Sequence, residues 1–249
     1  MTDDATRSAV PPPLPASEAV PIATGDLLAA LLKAPQRVAA PLAADTDAVR
    51  AGCYFLVGAV MFHGIFGLAT GFFGGWSVAS MTAAKAMLIA LCSLALCLPS
   101  LYVFSAVGGS PLSMTQTFML GASCLAMIGL LLIGLAPVAW LFAVSTSNLP
   151  FVVMLVFLIW LLSVGFAMRY VRMLKVQPLF QRSSGILVWL AVFVLVSLQM
   201  TTCLRPVLTT PHPGHGWWTP EKAFFLGHYA SCFEDAKPAG ATPPGHAGR

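Results

Sequence analysis

The chain has 249 residues, of which 58% are hydrophobic and only 9% charged. A water-soluble domain carries about a quarter charged residues to cover its surface. A soluble fold is therefore excluded and lipid must solvate the apolar exterior, as the mean hydropathy of +0.84 also says. The net charge of +4 comes from cations at segment ends and not from a basic stripe with interleaved aromatics, so it reads as membrane topology and excludes nucleic-acid binding.

Charge is distributed very unevenly. Between Arg50 and Arg169 the one charged side chain is Lys85. Residues 1–24 contain Pro11-Pro12-Pro13, Pro15 and many Ala and Ser, with no apolar run long enough for a signal peptide, and read as a disordered tail. Residues 25–50 read as an amphipathic pre-membrane segment. Asp26 is placed to cap a short helix through Leu27, Leu28, Leu31 and Leu32 that ends near Pro35, with Lys33 and Arg37 beside it.

About 20 mainly apolar residues are needed to cross a bilayer, and this predicts an all-α, polytopic bundle over residues 51–207 with about five spans. The first, about 52–73, carries Gly64, Gly67 and Gly71 at spacings of three and four, a small-residue face that lets a neighbouring backbone approach. Gly74-Gly75-Trp76 follow as an interfacial turn. The second, about 85–107, contains Pro99, where a backbone bond is deleted and a kink is expected. Lys85 at its start is read as snorkelling to the interface. The third, about 115–140, carries Pro137, a second expected kink. The fourth, about 150–168, is closed by Arg169, Arg172 and Lys175. The fifth, about 185–205, runs through Trp189 and Phe193, has Gln199 as its strongly polar interior residue, and stops at Arg205-Pro206.

After the bundle, residues 208–236 read as an interfacial tail. Its Trp217-Trp218 pair sits at headgroup level, and the run Ala223 to Leu226 is flanked by Glu221, Lys222 and His228, so it is too short to cross. Residues 237–249 return to Pro, Gly and Ala and read as disordered.

Lys and Arg are enriched in short cytoplasmic loops. With the N-terminus inside, Arg7, Lys33, Arg37, Arg50, Arg169, Arg172, Lys175 and Arg182 all fall on the cytoplasmic face. This places the C-terminal tail outside, and the expected location is a bacterial cytoplasmic (inner) membrane.

Candidate sites are few. His212 and His215, with His228 as a third donor, have metal-ligand chemistry. Their Pro-His-Pro-Gly-His loop fixes no geometry, however, so an exposed polar turn is the preferred reading and no metal or other cofactor is expected. His63 lies inside the first span, where an ionisable group is a functional candidate by default. No span holds an Asp or Glu to partner it, which argues for a satisfied core residue and against cation-coupled transport. Gln199 and Arg205, with Trp217 and Trp218, form a lipid-binding or structural anchor at the exit of the last helix. Cys203 and Cys232 would share a compartment and are the disulfide candidates, whereas Cys92, Cys97 and Cys124 lie in apolar runs as small hydrophobes. Neither paired carboxylates nor a nucleophile with its base is present in the spans, so no catalytic residue is assigned and no enzyme is expected.

The segment Leu31 to Arg37 before the first span, the five closely spaced helices and the short polar turns resemble the bacterial branch of the Yip-type (Ypt-interacting) five-span membrane proteins. The stretches Leu98 to Ser110 and Gln199 to Pro206 also look like a related group of bacterial multi-pass membrane proteins of unassigned role. The resemblance covers roughly residues 26–235 and implies a helical bundle without catalytic residues. Eukaryotic Yip proteins assist trafficking and bind small GTPases, but this chain lacks the acidic Asp-Leu-Tyr-Gly-Pro element, so GTPase binding is not carried over. Three functions follow as expectations: a non-enzymatic bundle that associates with a membrane-protein partner or itself, a transporter or channel subunit, and a lipid-headgroup binder.

Overall fold

A computed structural model of the chain describes residues 26–38, 45–109, 112–146, 148–174 and 185–203. Among these the structure is all-helical: α1 (Leu27–Lys33), α2 (Asp45–Gly71), α3 (Trp76–Val107), α4 (Met114–Ser145), α5 (Leu149–Leu174) and α6 (Gly185–Cys203), with 3-10 turns at Pro35–Val38 and Phe72–Gly74. The residues of both expected tails and of the basic loop before α6 lie outside the described set.

At 1.5 Å per residue, about 20 residues reach across the hydrocarbon core. Helices α2 to α5, of 27, 32, 32 and 26 residues, are long and apolar enough to do so. Helix α6 has 19 residues, and its apolar part, Val188–Met200, is shorter than those four. Large apolar side chains lie exposed along these helices, among them Met61 and Ile65 on α2, Leu96 and Val103 on α3, Leu158 and Leu162 on α5, and Leu195 on α6. In water that much exposed apolar surface would drive aggregation. Against acyl chains it is the solvated face, and the chain is an integral membrane protein by this criterion.

Local signals set the helix ends. Helix α3 begins at Trp76 because Gly75 adopts φ 85°, a left-handed conformation that breaks the chain direction and favours glycine. Before α4, Ser113 and Gln116 form a reciprocal capping box: the Gln116 N–H donates to Ser113 Oγ at 3.2 Å and the Ser113 N–H donates to Gln116 Oε1 at 3.0 Å. Asn148 serves α5 in a similar way, its Oδ1 accepting from the Phe151 N–H at 3.2 Å. Pro150 then falls in the first turn, where a missing N–H costs nothing. Asp26 does precede α1 as its cap residue, but its side chain makes no cap hydrogen bond. Helix α1 is instead held by Leu27 and Leu31, both buried where it meets α2 and α4.

Helix α4 is the centre of the bundle. From Met119 to Gly129 every residue is buried, and the run Gly121, Ala122, Ser123, Cys124 is small enough for neighbours to approach from several sides. Helix α2 packs most extensively, on α4 and α3; α3 holds α6, and α4 holds α5. The α2–α3 seam uses the glycine face expected of the first span. A Cβ at Gly67 would lie 2.9 Å from the Thr82 carbonyl oxygen, and one at Gly71 would lie 2.6 Å from Ala79 Cα, so only glycine permits this backbone spacing.

Pro99 and Pro137 both stand inside continuous helices. Two residues before Pro99, the Cys97 carbonyl accepts from Ser100 Oγ of its own helix at 2.8 Å and from the Trp189 indole N–H of α6 at 2.8 Å.

Candidate functional site

Most buried polar side chains in the bundle are satisfied locally. Thr70 Oγ1 donates to the Phe66 carbonyl at 3.1 Å, Ser105 Oγ to Leu101 at 2.5 Å and Ser163 Oγ to Ile159 at 2.9 Å, each one turn back along its own helix. Ser123 Oγ donates to the Leu120 carbonyl at 2.9 Å and accepts from the Tyr170 hydroxyl at 3.0 Å, which fastens α5 to α4 inside an apolar core. Ser93 and Ser197 break the pattern: both are buried and their hydroxyls have no hydrogen-bond partner.

Ser197 forms part of the wall of a cavity of about 120 Å³ that all five long helices contribute to. Its back is made by His63, Phe66 and Thr70 of α2 and Leu132 of α4, all buried. Its front is made by Phe157 and Trp160 of α5 and Leu198 of α6, which are half-exposed. Helices α5 and α6 touch only lightly at this side of the cavity. The wall is almost wholly apolar, and none of its residues carries a formal charge.

His63 is the polar residue with the most defined geometry here. Its Nδ1 lies 2.7 Å from the Ala59 carbonyl oxygen. A carbonyl only accepts, so Nδ1 carries the hydrogen, and in the neutral ring Nε2 is left as an acceptor. The expectation that His63 is a core residue thus accounts for one ring nitrogen; the other belongs to a residue on the cavity wall.

Lys85 requires a correction. Placed at the start of a span it would snorkel to the interface, but α3 begins at Trp76 and carries Lys85 about two and a half turns into the bundle, where it is 0% exposed. The left-handed Gly75, and not the first charged residue, sets where the helix starts.

Gln199 lies half-buried near the end of α6, and Cys203 is the last residue of that helix. Their proposed companions Arg205, Trp217, Trp218 and Cys232, together with His212, His215 and His228, lie outside the described residues. Cys97 and Cys124 are buried free thiols and Cys92 is half-buried. Among the described residues no three His, Cys, Asp or Glu side chains gather where they could hold a metal ion. The cavity, assembled from five separate segments, was not anticipated from sequence; Ser197 and Thr70 carried no signal that distinguished them from other hydroxyls in the spans.

No protein family, curated protein or solved structure matches the chain.

Proposed function

We propose that this protein is a non-enzymatic, multi-pass helical bundle of a bacterial cytoplasmic membrane that works by associating with other membrane components, as a homo-oligomer or within a membrane-protein complex. In this reading α6 is the fifth crossing, the N-terminus is cytoplasmic and the tail is exported.

The observation that carries the reading is the interior. Helix α2 is closed on α3 and α4 by glycine-mediated backbone approach, and the hydroxyls of Thr70, Ser105, Ser123 and Ser163 are turned onto backbone carbonyls of their own helices. A solute path needs polar groups aimed at a continuous lumen. Most of the polar groups here are spent on the backbone of their own helix, and the cleft described above has an apolar wall. A rigid bundle with broad apolar outer faces suits lateral association, which in lipid is driven by packing and small-residue contact.

The test has two parts on the full chain. Native mass spectrometry from a mild detergent is expected to give a defined oligomer or a stoichiometric complex. Proteoliposomes are expected to hold proton and potassium gradients as well as protein-free vesicles do. A monomer that dissipates either gradient would overturn the reading in favour of a channel or carrier.

A further inference from the structure

We propose that the cavity bordered by His63 binds a small, neutral molecule built of one aromatic ring with a hydroxyl group, a phenol. This goes beyond association between membrane components and does not depend on it.

The first observation is the free edge of His63. Its Nδ1 is committed to the Ala59 carbonyl, and that side of the ring lies against α4, where a Cβ at Gly129 would stand 3.2 Å from Nδ1. Nε2 keeps its lone pair, and no protein group among the described residues donates to it. Ser93 Oγ and Ser197 Oγ are polar atoms sealed into the packing without a partner; His63 Nε2 is not one of these and so reaches open space. The residue is only 9% exposed, and the open space that it borders is this cavity. Thr70, also on the wall, has no hydrogen to offer a guest, because its hydroxyl donates to the Phe66 and Gly67 carbonyls at 3.1 and 3.2 Å.

The second observation is the size and lining of the space. The cavity holds about 120 Å³, somewhat below the roughly 150 Å³ of an apolar cavity that accepts benzene. One six-membered ring fills it. Phe66, Phe157 and Trp160 stand on its wall, and edge-to-face contacts with such rings favour an aromatic guest over a saturated one. No lining residue carries a formal charge, so an ionised guest would be desolvated without compensation.

A phenol meets each condition. Its O–H donates to His63 Nε2, its ring occupies the apolar space, and it is uncharged at neutral pH. A ketone or an ether of the same size would leave Nε2 unanswered. Water is the competing guest, but a stable buried water needs two to four polar partners.

The test uses the full chain, isotopically labelled at its histidine nitrogens and reconstituted in phosphatidylcholine nanodiscs. The His63→Phe variant identifies the His63 resonances by their loss, and protein-free nanodiscs measure partition into lipid. Phenol is expected to shift the Nε2 resonance saturably. Anisole keeps the ring but cannot donate; it should bind about five-fold more weakly, the worth of one hydrogen bond, and leave Nε2 unmoved. Cyclohexanol keeps the donor without the aromatic ring and should bind about three-fold more weakly. Val156→Trp, which fills the cavity from α5 while His63 stays in place, should abolish the shift. An Nε2 resonance that phenol does not move means a water-filled or empty cavity and overturns the proposal without any variant. Equal binding of phenol and anisole overturns it too, as does a shift that survives Val156→Trp, and cyclohexanol binding as tightly as phenol overturns the aromatic class.

Discussion

The Trp189 indole N–H donates to the Cys97 carbonyl at 2.8 Å, joining α6 to α3 two residues before Pro99. Trp189 is 1% exposed and its ring lies 5.5 Å from that of Phe193, so it serves α6 both as a packing block and as a donor. The two roles are separable. Trp189→Phe keeps most of the ring and removes the donor, while Cys97 still accepts from Ser100 Oγ. The expected cost is about 1 kcal/mol. Trp189→Ala also opens a cavity and is expected to cost about 3–5 kcal/mol. Reversible unfolding in mixed micelles reads both, and equal losses would mean that the hydrogen bond carries the whole effect.

The Tyr170 to Ser123 bond makes an asymmetric prediction. In Tyr170→Phe, Ser123 keeps its bond to the Leu120 carbonyl, and about 0.6 kcal/mol is lost. In Ser123→Ala the Tyr170 hydroxyl is stranded in an apolar core, and about 1–3 kcal/mol is lost. The double variant should be less costly than the sum, which a thermodynamic cycle over the same unfolding transition measures directly.

Gly67 and Gly134 form a matched comparison. A Cβ at Gly67 meets the Thr82 carbonyl oxygen at 2.9 Å and Ala83 Cα at 3.0 Å, whereas one at Gly134 meets nothing within 4 Å. Gly67→Ala must push α2 and α3 apart and is expected to cost about 1–3 kcal/mol. Gly134→Ala is expected to be neutral or slightly stabilising, since alanine is the better helix former. Thermal unfolding of the two variants in one detergent distinguishes them.

Burial of Lys85 predicts its chemistry. In a background without other cysteines, Lys85→Cys is expected to resist a water-soluble maleimide, while Trp76→Cys at the start of α3, where the native side chain is 69% exposed, should react. Rapid labelling of Lys85→Cys would restore an interfacial position for this residue.

Much of the fold could be read from the chain because hydropathy reports the preference of a segment for an apolar medium. The described residues are all-helical as hydropathy predicts, and the Gly64, Gly67, Gly71 face meets α3 as its spacing implies. What hydropathy cannot separate is lipid from protein interior, since both are apolar. The all-round burial of α4 from Met119 to Gly129 was therefore hidden, although its run of Gly, Ala, Ser and Cys holds the clue. The second span begins by hydropathy and charge at Lys85, whereas α3 begins at Trp76, because a single glycine at φ 85° sets its start. The cavity was illegible because it depends on where five helices leave a gap and on which hydroxyls fail to bond back.

The central claim, that the chain threads the membrane with α6 as its last crossing, is tested most directly by thiol accessibility in intact cells. Cys232 is compared with Gln177→Cys, in the basic segment between Arg172 and Arg182, using an impermeant reagent after mild reduction to open any Cys203–Cys232 disulfide. The account predicts labelling of Cys232 and protection of the substituted position 177, because α6 separates them. Labelling of both, or protection of both, would mean that α6 does not cross, and labelling of position 177 alone would reverse the orientation.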